Sequence, residues 1–290
     1  ETGFKVYGYE RFVYQFIAQE FPDEVDYTIN QMKIFALDIE VQCENGFPDV
    51  EAAAEEMLSI TIKDMVTKEY FVWATREFNV PDGIKAFICD TERDMLRSYI
   101  GWWAQNTPDI LTGWNVNLYD VPYIARRVNR VLGEKWMKSL SPWNRANERE
   151  VYVQGRKNYA YDVSGINILD YLDLYRKFTY TNQESYRLDH IAFVELGQRK
   201  VDHSEYDNFK DFYTSDWQKF IEYNIQDVEL IDRLEDKMKL LELAITMSYD
   251  AKVNFEDVYS QVRMWDTMIY NYLTDRNIVV PPKKLSLIHI

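Results

Sequence analysis

The chain has 290 residues, 47% of them hydrophobic and 28% charged, which is enough apolar material for a sizeable core and a poor match to a disordered or low-complexity chain. Its two cysteines, Cys43 and Cys89, are too few for a disulfide framework, show no zinc-site spacing and fit a reducing setting. No apolar run approaches the roughly 20 residues of a membrane helix. The formal net charge of −15 argues weakly against a nucleic-acid partner, but residues 126–157 hold nine basic residues against three acidic ones, for which a solvated charged face is the ordinary explanation.

Residues 32–42 read as a buried strand with two carboxylates set in an apolar run. Strands near 58–63 and 69–73 follow, joined by a turn at 64–67. Thr91 with Asp94 three residues on resembles a capping box, opening a helix whose Met95, Leu96, Tyr99, Ile100 and Trp103 form one apolar stripe. A short strand at 110–114 precedes a helix with Pro122 at an early position. Residues 151–153 and 159–162 flank a candidate hairpin turn, Gln154 to Asn158. A strand at 166–169 runs into a helix at 171–178, and another helix starts near Ser185. The longest helical pattern spans about Ser215 to Tyr249, and the last about Ser260 to Thr274. Three early strands followed by strand–helix units predict an α/β fold, a mixed β-sheet flanked by helices.

Three elements carry candidate chemistry. In a strand, residues i and i+2 share a face, so Asp38 and Glu40 project side by side, where they repel and lose hydration unless a cation or proton offsets them. Asp120 sits between a strand end and a helix start, a position that suits a helix cap as well as a ligand site. Tyr223 and Asp227 share a helix face through i,i+4 spacing, continued by Leu230 and Leu234, and no lysine or arginine lies one turn from Asp227 to satisfy it; a structural role stays open. Hard oxygen ligands of this kind suit Mg²⁺ or Mn²⁺, and a pair of such metals serves phosphoryl transfer.

Phe35 to Val41, Asn115 to Asp120 with Val121-Pro122-Tyr123, and Tyr223 to Asp227 resemble the three exonuclease motifs of family B DNA polymerases, most closely the replicative polymerases of T-even-type bacteriophages. Gly46-Phe47-Pro48, Ile110 to Val116, Leu169-Asp170-Tyr171, Asp173-Leu174-Tyr175 and Thr181-Asn182-Gln183 with Ser185-Tyr186 extend the resemblance from about Tyr9 to Pro282. It implies a ribonuclease-H-like, DnaQ-like exonuclease domain with a β-hairpin insertion, proofreading 3′ ends with two divalent metals. Asp38 would bridge both metals, Glu40 and Asp227 would complete the tighter site, Asp120 would serve the second, and Tyr223 would orient the attacking water. Phe47 would contact the terminal bases of the primer strand, with Asn115, Arg149, Arg156 and Lys157 as further DNA contacts. The hairpin at 149–162 would help part primer from template; an ordinary solvent-exposed ribbon is the alternative.

The resemblance also sets expectations for organisation and partners. Residues 1–30 would be a remnant of the polymerase N-terminal domain, 31–250 the exonuclease domain, and 251–284 a helical return towards an absent palm. The ends look artificial: the chain opens Glu1-Thr2-Gly3, and 285–290 reads as a translated sequencing adapter. The partners would be a single-stranded or frayed primer 3′ end, the palm, fingers and thumb, and through the whole protein a sliding clamp, in the cytoplasm of an infected bacterium. Rival readings are a stand-alone exonuclease of the same fold acting on RNA, and a non-catalytic DNA-binding module with structural carboxylates.

Overall fold

The computed structural model describes residues 12–44, 46–202 and 204–278, so the expectations for residues 1–3 and 285–290 lie outside the described residues. The described residues form two compact units, one within residues 28–241 and, separately, one of residues 12–27 with 242–278.

The larger unit is built on a six-stranded mixed sheet. Its strands are β1 (Ile34–Val41), β2 (Met57–Asp64), β3 (Tyr70–Ala74), β4 (Ile84–Ile88), β5 (Ile110–Thr112) and β8 (Asn167–Ile168), in the order β4-β3-β2-β1-β5-β8. A separate ribbon pairs β6 (Ala146–Val153) with β7 (Arg156–Val163). The β1–β2 and β2–β3 pairs are antiparallel, whereas β5 runs parallel to β1 and to β8. Both faces of β1 are covered, as its near-continuous apolar run requires. One face packs Phe35, Leu37 and Ile39 against α2 (Glu92–Asn106) and α3 (Asp120–Leu132). The other lies under α8 (Trp217–Met238), where Phe220 and Ile221 join Phe212 of α7 (Phe209–Ser215) against Leu58, Val72 and Ala74.

One irregularity places the site. β5 pairs only with Ile34 to Ala36 of β1, so the second half of β1 has no strand neighbour on that side. There the chain turns at Gly113, where a Cβ would lie 2.6 Å from the Leu37 carbonyl oxygen, and runs through Asn115 at φ +67° into α3. The Asp120 side chain then takes up the ladder amide that β5 leaves, with Oδ1 accepting from Ile39 N at 3.1 Å.

The expected sheet, ribbon and flanking helices are present, with differences in detail. Asp94 N donates to the Thr91 hydroxyl at 3.2 Å and opens α2 as expected. The hairpin arms are longer than expected and leave Gln154-Gly155 as the turn. Helix α5 (Tyr171–Phe178) occupies the expected span, whereas the helix placed near Ser185 starts later, as α6 (Leu188–Leu196). The long pattern expected from about Ser215 to Tyr249 is two helices, α8 and α9 (Leu240–Ala251), broken at Lys239 with φ +56°. The break is held by the buried Glu235 carboxylate, which accepts from Leu241 N at 3.0 Å and from the Tyr171 hydroxyl at 3.1 Å. A short helix α4 (Glu134–Lys138) follows α3.

The second unit contains α1 (Phe12–Glu20) and α10 (Gln261–Thr274). Tyr27 stacks on Tyr249 with ring centroids 4.2 Å apart, and Asp257 pairs with Arg263. Trp265 and Tyr272 on α10 are exposed.

Candidate active site

Asp38 and Glu40 leave β1 on the face that α8 covers, and Asp227 descends from α8 to meet them. One carboxylate oxygen of each lies within 4.8 Å of the others, which among the described residues makes this the one carboxylate group of metal-binding compactness. Asp120 stands outside that trio at the N-terminus of α3, anchored to the Ile39 amide. Glu40, Asp120 and Asp227 are buried.

Their electrostatics follow from that crowding. Burial, then the charges of Asp227, Asp120 and Glu40, hold the Asp38 carboxyl well above its ordinary range against a smaller opposing pull from Lys200. Glu40 is raised for the same reasons, burial first and Asp227 next. Burial pushes Asp120 up to about 8, although the Ile39 amide favours its charged form. So many adjacent carboxylates ionise together only if cationic charge is placed among them.

The chain itself supplies one cation. Lys200 Nζ pairs with Asp227 Oδ2 and donates to the Tyr223 hydroxyl at 3.0 Å. Burial alone would lower the Lys200 pKa, but the Asp227 carboxylate and the Tyr223 hydroxyl outweigh it and hold it above its usual value. The Tyr223 hydroxyl is held above its own range by burial and by Asp227. Lys200 lies 27 positions before Asp227 in the chain, so a search one helical turn to either side misses it.

A second residue passed over is Asp170. Its buried carboxylate caps α5 through Leu172 N at 3.0 Å and also accepts from Asn115 N at 3.1 Å and Asn117 N at 3.0 Å. It therefore shapes the loop that carries Asn115 towards Asp120. Burial pushes it up to about 7 against the pull of those amides. Its sequence signal is the N-cap position just before Tyr171.

These groups open onto a cleft of about 1220 Å³. Asp38, Glu40, Asp120, Tyr223, Asp227, Phe47 and Asn115 all line it. Phe47 is 82% exposed and rests on Tyr119, ring centroids 4.9 Å apart. The lining also holds Arg176, Arg187 and Arg199 beside Lys200, with Asp189 and Asp202 among them, and Arg199 pairs with Asp189 at 3.1 Å; the charge count over 126–157 did not point to these cations. The hairpin reaches the cleft through Val153 and Gln154 at its tip. Arg149, Arg156 and Lys157 are not among the lining residues; Arg149 pairs with Asp162 at 2.7 Å and Lys157 with Glu150 at 2.5 Å. Lys157 and Phe47 instead share a neighbouring hollow of about 360 Å³. Of the hairpin tyrosines, Tyr152 is exposed, Tyr161 is buried, and Tyr159 lies under Arg126 at 4.1 Å.

In sequence the chain is similar to several viral DNA polymerases. The DNA-directed DNA polymerase of Escherichia phage RB69 is 30% identical over 97% of this chain, and that of Enterobacteria phage T4 is 32% identical over the same share. The DNA polymerase of Bombyx mori nuclear polyhedrosis virus is 23% identical over 84%. The chain spans 34% of the length of each phage relative. The family described as DNA polymerase family B, exonuclease domain, matches residues 13–191, a stretch that holds Asp38, Glu40 and Asp120, while the phage alignments continue towards Tyr223 and Asp227. Because that match covers more than half of the chain, the chain belongs to the exonuclease domain family of the family B DNA polymerases.

Proposed function

We propose that the cleft hydrolyses the terminal phosphodiester of a single-stranded or frayed primer 3′ end, releasing 5′-mononucleotides, as the proofreading part of a replicative DNA polymerase. The observation that carries this reading is the buried meeting of Asp38, Glu40 and Asp227 beside Asp120 and Tyr223. An all-oxygen donor set whose pKa values are raised by burial and then by mutual repulsion fits hard divalent cations, Mg²⁺ or Mn²⁺. Asp38, Glu40 and Asp227 would hold one, and Asp38 with Asp120 the second. Bound there, two such ions supply the charge that activates water and stabilises the leaving oxygen.

The remaining work falls to the chain's own groups. Tyr223, whose hydroxyl is fixed by Lys200, orients the attacking water. Phe47 offers its exposed ring to the terminal bases, and Asn115 borders the same path. Arg176 and Arg187 suit the phosphates of the incoming strand. The hairpin, with Gln154 at the cleft, serves as a wedge between primer and template; Arg149, Arg156 and Lys157 would act at its outer surface. In the longer protein, residues 1–30 and 251–284 would connect this domain, 31–250, to the polymerase palm, fingers and thumb, with a sliding clamp as a further partner and the infected bacterial cytoplasm as the setting. The test is cleavage of single-stranded DNA by wild type and Asp38→Ala with Mn²⁺ and with EDTA. We expect activity in the first combination alone; metal-independent cleavage, or a fully active Asp38→Ala, overturns the reading.

A further inference from the structure

Asn224, between Tyr223 and Asp227 on α8, is fully buried where the helix meets β1 and β2. Its Nδ2 donates to Asp38 Oδ2 at 2.6 Å. Its Oδ1 accepts from Ser59 Oγ at 2.9 Å and from Thr61 Oγ1 at 2.5 Å. Both hydroxyl residues are themselves fully buried. They stand on β2 directly across from the site strand, Thr61 opposite Asp38 and Ser59 opposite Glu40, so cross-strand pairing delivers them to the same face.

The chemistry of the groups fixes the direction of this chain. With cationic charge in the site the Asp38 carboxylate is ionised and only accepts, so the amide must turn its NH₂ to it; its carbonyl then faces the two hydroxyls, which must donate. The reversed amide would set its carbonyl against the carboxylate. The hydrogen bonds of the Asn224 side chain all go to side chains, one of them a site carboxylate, and none closes a backbone ladder. A buried amide serving packing alone could be replaced by an apolar residue of the same shape at little cost.

We propose that Asn224, held by Ser59 and Thr61, is a positioning residue that fixes the rotation of the Asp38 carboxylate and so sets how tightly the cleft binds divalent metal. The inference rests on the metal-dependent reading above. Groups that hold a ligand in this way are worth about 10- to 100-fold in metal affinity.

The test uses the 290-residue chain and Mn²⁺ as the probe. Mn²⁺ binding is measured by calorimetry without DNA, and the Mn²⁺ concentration for half-maximal cleavage of a single-stranded oligonucleotide is measured separately. Asn224→Leu should weaken binding by about tenfold or more and raise the half-maximal concentration in parallel, while cleavage at saturating Mn²⁺ stays within a few-fold of wild type. Ser59→Ala combined with Thr61→Val, which leaves Asn224 and Asp38 in place but releases the amide, should shift both quantities in the same direction. That double variant decides the matter alone if Asn224→Leu does not fold. Val228→Ala, a buried truncation on the same helix, is the control for a loosened fold and should leave Mn²⁺ binding unchanged. Binding unaltered in the leucine and double variants, or shifted equally in Val228→Ala, overturns the proposal. Asp38→Ala separates the two readings: if it keeps wild-type Mn²⁺ binding, the metal assignment itself fails, whereas loss in Asp38→Ala with none in the Asn224 and double variants sinks the positioning role alone.

Discussion

Replacing Lys200 with methionine removes a charge while keeping most of the side-chain volume. In the wild type the ammonium pairs with Asp227 and donates to Tyr223, with side-chain exposures of 18% for Lys200 and 5% for Asp227. The variant leaves Asp227 buried beside Asp38 and Glu40 without that cation. Breaking a buried pair from one side costs roughly 3–5 kcal/mol, and the residual exposure of Lys200 sets the expectation near the lower end, about 3 kcal/mol. For a folded unit of this size, about 2–4 °C of melting temperature accompanies each kcal/mol, so the metal-free variant should melt roughly 6–12 °C below wild type. In saturating Mn²⁺ the site receives positive charge from another source, and the difference should shrink to half or less. Scanning calorimetry of both proteins in EDTA and in Mn²⁺ measures this directly. An equal drop under both conditions, or none in EDTA, refutes the argument that Lys200 balances the carboxylates.

Tyr223→Phe should slow single-strand cleavage by about 10²-fold, the usual scale for one positioning or proton-transfer group, and by less than Asp227→Ala; equal losses with unchanged metal affinity contradict the separate roles. Shortening the turn from Gln154 to Asn158, within a polymerase that supplies the remaining domains, should spare single-strand digestion and slow digestion of a paired primer end, and equal effects on both substrates return the hairpin to a structural part. Without metal, the raised carboxyl pKa values mean that the folded chain holds protons more tightly than the unfolded one, whose carboxyls titrate near about 4. Their stabilisation is complete below that value and is lost as pH rises through the folded values, Asp120 reaching about 8. The melting temperature in EDTA should therefore fall between about pH 5 and pH 8, and a flat profile in that window counts against the raised carboxyl pKa values.

Much of the fold is written in local pattern. β1 is legible because its carboxylates interrupt an otherwise apolar run, and α2 because Thr91 and Asp94 mark its start. β4 is not legible: it is a half-exposed edge strand without clear alternation. The break at Lys239 has no glycine or proline to announce it, because it depends on where the Glu235 carboxylate lands after folding. Within the site, Asp38, Glu40, Asp120, Tyr223 and Asp227 sit in short motifs that a sequence displays. Lys200 and Asn224 act through partners 27 and 186 positions away respectively, and such pairings exist only once α8 has met the segment carrying Lys200 on one side and the sheet on the other. Summing charge over 126–157 also overlooked two carboxylates outside that window, Glu92 on α2 and Asp162 across the hairpin, which meet Arg127 and Arg149.

That internal pairing alters how the protein responds to ionic strength. Five of the nine basic residues between 126 and 157, namely Arg126, Arg127, Lys138, Arg149 and Lys157, are in ion pairs with carboxylates of the same chain. A cation that is already neutralised displaces few condensed counterions from a strand, and each phosphate contact not made removes about 0.7 from the slope of log affinity against log salt for single-stranded DNA. The 126–157 segment should therefore add little to the salt dependence of strand association, which falls instead to the cations that line the cleft, Arg176 and Arg187 among them.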